Sequence, residues 1–128
     1  MMTTEKNTPE KRTGLTRILY ATKYSFEGIK ATFATEAAFR QEILIACISI
    51  PLALVLPISF LFKAFLIAST IAILIIELLN TAIESIGNLV TQEFHPLVKR
   101  AKDMGSAAVM LGLTNLSIAW LFALLQVF

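Results

Sequence analysis

The uncharged stretch ILIACISIPLALVLPISFLF, residues 43–62, is long enough to cross a membrane by itself. A helix needs about 20 mainly apolar residues to span a hydrocarbon core roughly 30 Å thick. Two further runs without a charge follow, at 64–76 and 104–128, in a chain that is 56% hydrophobic and only 16% charged. These runs predict an all-α integral membrane protein with about three transmembrane helices per chain. They exclude a soluble enzyme, a secreted disulfide scaffold and a disordered protein.

Composition and turn signals divide the chain further. We expect a disordered polar tail over 1–12 and a single membrane domain over 13–128. Pro57 marks the turn after the first span, because proline disfavours helical geometry in the residue before it. Cys47, the single cysteine, is expected to be a small buried apolar residue. Within the domain we expect a surface helix at about 14–35, spans at 39–56, 60–90 and 104–128, and a cytoplasmic loop at 91–103.

The predicted surface helix is amphipathic. Its basic residues lie beside an apolar stripe, directly ahead of the membrane spans. This arrangement favours a helix lying in the bilayer interface over one packed on other helices. The stripe recurs at the three-and-four spacing of one helix face and consists of Leu15, Ile18, Leu19, Thr22, Phe26, Ile29 and Phe33.

The basic residues predict the orientation of the spans. Of the eleven Lys and Arg residues, ten precede the first span or lie between the second and third, which leaves Lys63 alone for the opposite side. Basic loops stay in the cytoplasm. We therefore expect a multi-pass protein with the N-terminus in the cytoplasm and the C-terminus on the opposite side.

A polar face inside the second span is the first candidate site. Glu77, Asn80, Glu84 and Asn88 are spaced by three, four and four, which places them on one helix face. At about 1.5 Å per residue, Glu77 lies roughly 25 Å from Phe60, in or near the inner leaflet, with Glu84 at the cytoplasmic interface. An ionisable side chain at such depth indicates a functional site. Glu84 alone is equally well explained by an ion pair with a basic residue of the loop, Lys102 or Arg100.

Carboxylates beside basic residues suit phosphate handling through Mg²⁺. This ion prefers one or two carboxylates together with phosphate oxygens and water, so Glu36 and Glu84 are candidate ligands. The sequence has neither a GxxxxGK[ST] nor a GxGxxG loop. The residues by themselves predict a polar, cation-binding site at the cytoplasmic membrane surface, and they leave an ion or proton pathway through the carboxylates open.

Three sequence blocks stand out, which are TEAAFRQE at 35–42, ELLNTAIE at 77–84 and AKDMGSAAV at 101–109. Together they resemble a known family, the prokaryotic diacylglycerol kinases. The blocks stand in the family's order across the three spans, and the likeness runs from about Gly14 to the C-terminus. Two positions depart from the family's pattern, because Asn88 stands where an aspartate is expected and Phe94 where a tyrosine is expected.

The resemblance implies a lipid kinase of the bacterial inner membrane. Such an enzyme moves the γ-phosphate of ATP, with Mg²⁺, to the primary hydroxyl of diacylglycerol and gives phosphatidic acid. The family is homotrimeric with active sites shared between subunits, and no nucleic-acid partner is expected. The segment His95-Pro96-Leu97 is similar to relatives that phosphorylate undecaprenol, whereas the blocks at 35–42 and 101–109 favour diacylglycerol.

The resemblance also implies roles for individual residues. Glu77 matches the general base with Asn80 beside it, and Glu36 and Glu84 match the metal ligands. Taken alone, His95 is more typical of a solvated turn, and only the resemblance makes it a nucleotide contact. The full set of implied ATP contacts is Arg17, Tyr24, Glu36, Glu84, Glu93, His95, Lys102 and Asp103. The implied lipid contacts are Arg17, Lys30, Phe33, Ala38, Arg40, Glu42, Glu77 and Ser106.

Overall fold

A computed structural model describes residues 11–128 and contains four helices in that range. The last three are each long and apolar enough to cross a membrane, so the all-α membrane class with three spans is confirmed. Most of the tail expected at 1–12 lies outside the described residues. The helices are α1 (Gly14–Thr35), α2 (Ala37–Val55), α3 (Phe60–Val90) and α4 (Pro96–Val127).

The chain divides into two compact units, the first ending at Ala31 and the second running from Thr32 to Phe128. In the first unit, α1 begins at Gly14, whose φ of +67° suits a residue without a Cβ. The guanidinium of Arg12 lies 3.3 Å from the centre of the Tyr20 ring. Large apolar side chains along α1, including Leu15 and Phe26, are exposed. A single domain over 13–128 remains a prediction.

In the second unit, α3 lies between the other two spans and contacts both α2 and α4. Glycines allow α4 to approach α3 closely. A Cβ on Gly105 would overlap the side chain of Asn80, and one on Gly112 would lie 2.8 Å from Cδ1 of Ile73. Small residues are common where membrane helices pack, because they let the backbones approach.

The character of the interior changes along the second unit. Near the α2–α3 turn it is an apolar cluster that includes Ala53, Leu66 and Ala119. Further along, Trp120 Nε1 donates a 2.8 Å hydrogen bond to Ser49 Oγ. At the other end the buried side chains include carboxyl and amide groups, which are Glu42, Glu77 and Asn80.

Capping interactions define the α2–α3 turn. Helix α2 continues through Pro51 and ends at Val55. Ser59 Oγ accepts a hydrogen bond from the backbone N–H of Phe62 at the start of α3. The Nζ of Lys63 donates to the Leu54 carbonyl at 2.7 Å. Lys63 therefore satisfies one of the carbonyls that the end of α2 leaves unpaired.

Two expectations differ from the structure. Helix α4 begins at Pro96, so the non-helical link covers only 91–95 rather than the expected 91–103. Proline suits the first helical position, and Nδ1 of His95 accepts a hydrogen bond from the Leu97 N–H at 3.2 Å. The charged run up to Asp103 forms the first turns of α4. Hydropathy did not predict a helix there, because these residues are polar. The expectation for Cys47 was wrong, because its side chain is exposed.

Candidate active site

A pair of carboxyl groups lies buried between α2 and α3. Glu42 and Glu77 are each only 5% exposed. Their side chains are within hydrogen-bonding reach of each other. Oε2 of Glu42 is buried and has no hydrogen-bond partner. Buried carboxyl groups are costly unless they are paired, so this pair marks the polar end of the second unit as a candidate site.

Two further carboxylates are close enough to interact electrostatically with Glu77, namely Glu36 and Glu84. Glu36 directly precedes α2 in an extended backbone conformation, and its side chain makes no capping hydrogen bond. Glu84 lies about two turns beyond Glu77 on α3. The ion pair found between described residues joins Lys99 to Asp103. Between residues 11 and 128 the structure shows no ion pair of Glu84 with Lys102 or Arg100, so it gives no support to the alternative in which Glu84 pairs with a basic residue of the loop.

The family resemblance implies a magnesium ion, and the carboxylates of the site can be compared with the ligands that this ion requires. Within residues 11–128, no three His, Cys, Asp or Glu side chains lie together as a metal site made by protein alone. Glu36 and Glu84 nevertheless provide two half-buried carboxylates without an ion-pair partner in that range. One or two carboxylates, with phosphate oxygens and water, are what Mg²⁺ usually takes. The residues therefore fit an ion that arrives together with a phosphate.

Two unpaired polar atoms lie one turn beyond Glu77 on α3. Asn80 is 9% exposed, and its Oδ1 has no hydrogen-bond partner. The Oγ1 of Thr81 is also buried without a partner. Asn80 reaches α4 because Gly105 has no Cβ at the point of contact. Buried polar atoms without partners are rare in proteins, so they support a functional role for this part of α3.

A polar pocket of about 380 Å³ lies around the α3–α4 link. Four of the expected ATP contacts line it, which are Glu93, His95, Lys102 and Asp103. The structure therefore brings together side chains that the sequence placed in separate parts of the link.

The lining of the pocket also includes Asn88 and Lys99, which were not among the expected ATP contacts. Asn88 accepts a 2.6 Å hydrogen bond from Lys102 Nζ, and Lys99 pairs with Asp103 at 2.5 Å. The spacing of four between Lys99 and Asp103 could have indicated their ion pair. Asn88 was already part of the polar face expected on α3, but not as a nucleotide contact.

The expected lipid contacts fall into two groups. Ala38 and Ser106 are exposed. In contrast, Glu42 is buried. Arg40 is exposed, and its Nη1 donates to the backbone carbonyls of Phe33 at 2.8 Å and Ala34 at 3.2 Å. Arg40 thereby satisfies carbonyls at the C-terminal end of α1.

The expected contacts on α1 up to Ala31, which are Arg17, Tyr24 and Lys30, are exposed. The hydroxyl of Tyr24 accepts a 3.1 Å hydrogen bond from Nη1 of Arg12. Arg12 was not among the expected contacts. Its separation from Tyr24 matches no helical repeat, so the sequence held no signal for this contact.

Comparisons with known proteins identify relatives of this chain. A family model described as prokaryotic diacylglycerol kinase matches residues 23–124. The chain is 49% identical over 114 residues to the diacylglycerol kinase of Pseudomonas aeruginosa, covering 89% of this chain and 93% of that protein. It is 42% identical over 110 residues to the Haemophilus influenzae diacylglycerol kinase, covering 86% and 93%. With the Escherichia coli diacylglycerol kinase it shares 41% identity over 108 residues, covering 84% and 88%.

Proposed function

Because the chain belongs to the prokaryotic diacylglycerol kinase family, we propose that it transfers the γ-phosphoryl group of ATP to the primary hydroxyl of diacylglycerol. The products are ADP and phosphatidic acid. The chain is a multi-pass membrane lipid kinase, and ATP is its co-substrate. The observation that carries the proposal is Glu77, a carboxyl group buried in the middle part of the membrane-spanning helix α3, with two further carboxylates beside it.

Depth separates the two substrates. Helix α3 has 31 residues and is about 46 Å long at 1.5 Å per residue. It therefore extends beyond a hydrocarbon core of roughly 30 Å. When Phe60 lies at one interface, Glu77 lies just inside the opposite one and Glu84 lies outside it. A lipid hydroxyl reaches Glu77 from the bilayer, whereas the nucleotide stays in water near Glu84.

Glu77 acts as the general base in this proposal. Its carboxylate accepts the hydroxyl proton as the lipid oxygen bonds to the γ-phosphorus, and the bond between that phosphorus and the β–γ bridging oxygen breaks to release ADP. A positioned base contributes typically about 10² to 10⁴ in rate. Asn80, one turn further along α3, orients the reacting groups through its unpaired amide oxygen.

In this proposal the nucleotide binds at the cytoplasmic end of α3 and at the α3–α4 link. Glu36 and Glu84 would bind Mg²⁺, which when bound neutralises phosphate charge and orients the phosphates. The pocket residues Glu93, His95, Lys102 and Asp103 contact the rest of the nucleotide. Arg17 and Tyr24 are assigned to the nucleotide on the family resemblance alone. We assign the lipid headgroup to Arg17, Lys30, Phe33, Ala38, Arg40 and Ser106, with α1 lying in the bilayer interface.

A homotrimer with shared active sites fits the composition of the spans. Only 22–28% of the most apolar part of each span is buried within a single chain. Nine helices from three chains would cover the apolar faces that the three spans of a single chain leave exposed. We place the protein in the bacterial inner membrane as a single membrane domain, with the N-terminus and the α3–α4 link in the cytoplasm.

A kinase assay tests this function. Purified protein in mixed micelles receives Mg-ATP and a panel of diacylglycerol, monoacylglycerol, ceramide and undecaprenol. Diacylglycerol should give the largest kcat/KM. A larger kcat/KM for undecaprenol would show that undecaprenol is the preferred acceptor, and the protein would still be a lipid kinase. If no lipid is phosphorylated while proteoliposomes show a cation flux that Glu77→Gln abolishes, the ion-pathway alternative replaces the kinase.

A further inference from the structure

The environment of Glu42 does not suit a lipid contact. Its side chain is 5% exposed and lies on the buried face of α2 that also contains Phe39 and Ala46. A group that binds a lipid headgroup has to be reachable from the membrane surface. Glu42 instead faces α3, where its carboxyl group is within hydrogen-bonding reach of the Glu77 carboxyl group.

A hydrogen bond between two carboxyl groups requires a proton on one of them, because an ionised carboxylate has no donor. Within the pair, the oxygen without a partner belongs to Glu42, whose Oε2 is buried. A buried carboxylate needs several donors, but a neutral carboxyl group needs only an acceptor for its O–H. The proton therefore belongs on Glu42.

We propose that Glu42 is a positioning residue, which carries a proton and donates it in a hydrogen bond to the carboxylate of Glu77. The inference rests on the proposed function, in which Glu77 is the general base. The Glu42–Glu77 pair places a single negative charge in the interface between α2 and α3. One oxygen of Glu77 is held toward α2, and the other remains available for the lipid hydroxyl.

Kinetics of two variants test the role. Glu42→Ala removes the donor, so kcat should fall about 10- to 100-fold, the scale expected when a reacting group is misplaced by about 1 Å. The KM values for Mg-ATP and for lipid should stay within about twofold, because Glu42 touches neither substrate in this proposal. Glu42→Gln retains an N–H donor and should keep kcat within about threefold of the parent.

Ser49→Ala is a matched control, since Ser49 lies on the same buried face of α2, two turns from Glu42. It removes a buried polar group away from the carboxyl pair and should leave kcat unchanged. The proposal is overturned if Glu42→Gln is as damaged as Glu42→Ala, or if neither variant lowers kcat. A raised lipid KM with kcat retained would also overturn it, because that result assigns Glu42 to lipid binding.

Infrared spectroscopy tests the pair without relying on activity, and it applies even where Glu42→Ala fails to fold. The C=O stretch of a protonated carboxyl group should disappear in Glu42→Gln and persist in Glu77→Gln. The opposite pattern would place the proton on Glu77 and overturn the assignment. Failure of the proposed function would look different, because Glu77→Gln would then retain kcat whatever the infrared bands show.

Discussion

Lys102 and Asn88 connect the first turns of α4 to the last turns of α3. Nζ of Lys102 donates a 2.6 Å hydrogen bond to Oδ1 of Asn88, and both residues line the polar pocket around the α3–α4 link. The aliphatic part of Lys102 passes close to Gly87, where an added Cβ would lie 3.1 Å from Cε. The lysine is therefore positioned before a nucleotide arrives.

Removing the acceptor of this hydrogen bond should weaken nucleotide binding. In Asn88→Ala, Lys102 loses its fixed position, and the KM for Mg-ATP should rise about fivefold, equivalent to about 1 kcal/mol. Asn88→Asp keeps an acceptor and should hold the KM near the parent value. Ser85→Ala, at an exposed position of the same helix, serves as the control. An unchanged KM for Mg-ATP in Asn88→Ala would contradict the assignment of Lys102 as a nucleotide contact.

Two glycines of α4 should respond differently to substitution by alanine. The Cβ of Gly105→Ala would overlap the amide of Asn80, so this variant should lose kcat by at least about tenfold while remaining folded. The Cβ of Gly112→Ala would lie 2.8 Å from the Cδ1 atoms of Ile73 and Ile76, which are the ends of two apolar side chains. Overpacking there should lower stability by about 1–3 kcal/mol with kcat preserved.

Steady-state kinetics and unfolding measurements on the two glycine variants separate these effects. Gly28→Ala is the control, because nothing lies within 4 Å of its added Cβ. Equal losses of kcat in Gly105→Ala and Gly112→Ala would show that general packing, rather than the position of Asn80, limits the reaction.

The Trp120–Ser49 hydrogen bond should stabilise the second unit only modestly. Interhelical hydrogen bonds in membrane proteins contribute about 0.6 kcal/mol on average and about 1.7 at most. A double-mutant cycle with Ser49→Ala and Trp120→Phe, followed by unfolding in denaturing detergent, measures the coupling. Ser117→Ala is the control, since its Oγ donates within α4 to Leu113. Zero coupling would mean that the hydrogen bond contributes nothing to the stability of the second unit.

The extent of the spans followed from the sequence, because an uncharged run long enough to cross a membrane has few structural interpretations other than a transmembrane helix. The start of α4 did not, because charged residues in its first turns resemble a loop and a histidine cap is uncommon. The sequence also placed Glu36, Glu77 and Glu84 in one site, through the family's motifs. It could not pair Glu42 with Glu77, since periodicity shows which face a residue occupies and not what the facing helix presents.

Orientation in the membrane can be measured by cysteine labelling. With Cys47→Ala as the background, Gln92→Cys should react with a membrane-impermeant reagent from the cytoplasmic side only. Ser59→Cys should react from the opposite side only. Gln92 and Ser59 are both exposed, so the reagent can reach them, and they flank opposite ends of α3. The opposite labelling pattern would contradict the charge argument that places the α3–α4 link in the cytoplasm.

The division of labour between Glu77 and Glu84 is the central claim, and its most direct test is Mg-ATP binding measured beside kcat. Glu77→Gln should lower kcat by about 10² or more with Mg-ATP affinity within a few-fold of the parent, because a general base acts on the lipid proton. Glu84→Gln and Glu36→Gln should weaken Mg-ATP binding and also lower kcat, because metal ligands hold the nucleotide. Asn80→Ala should fall between them. Near-normal kcat in Glu77→Gln, or unchanged Mg-ATP affinity in Glu84→Gln, in protein shown to be folded, would contradict the account.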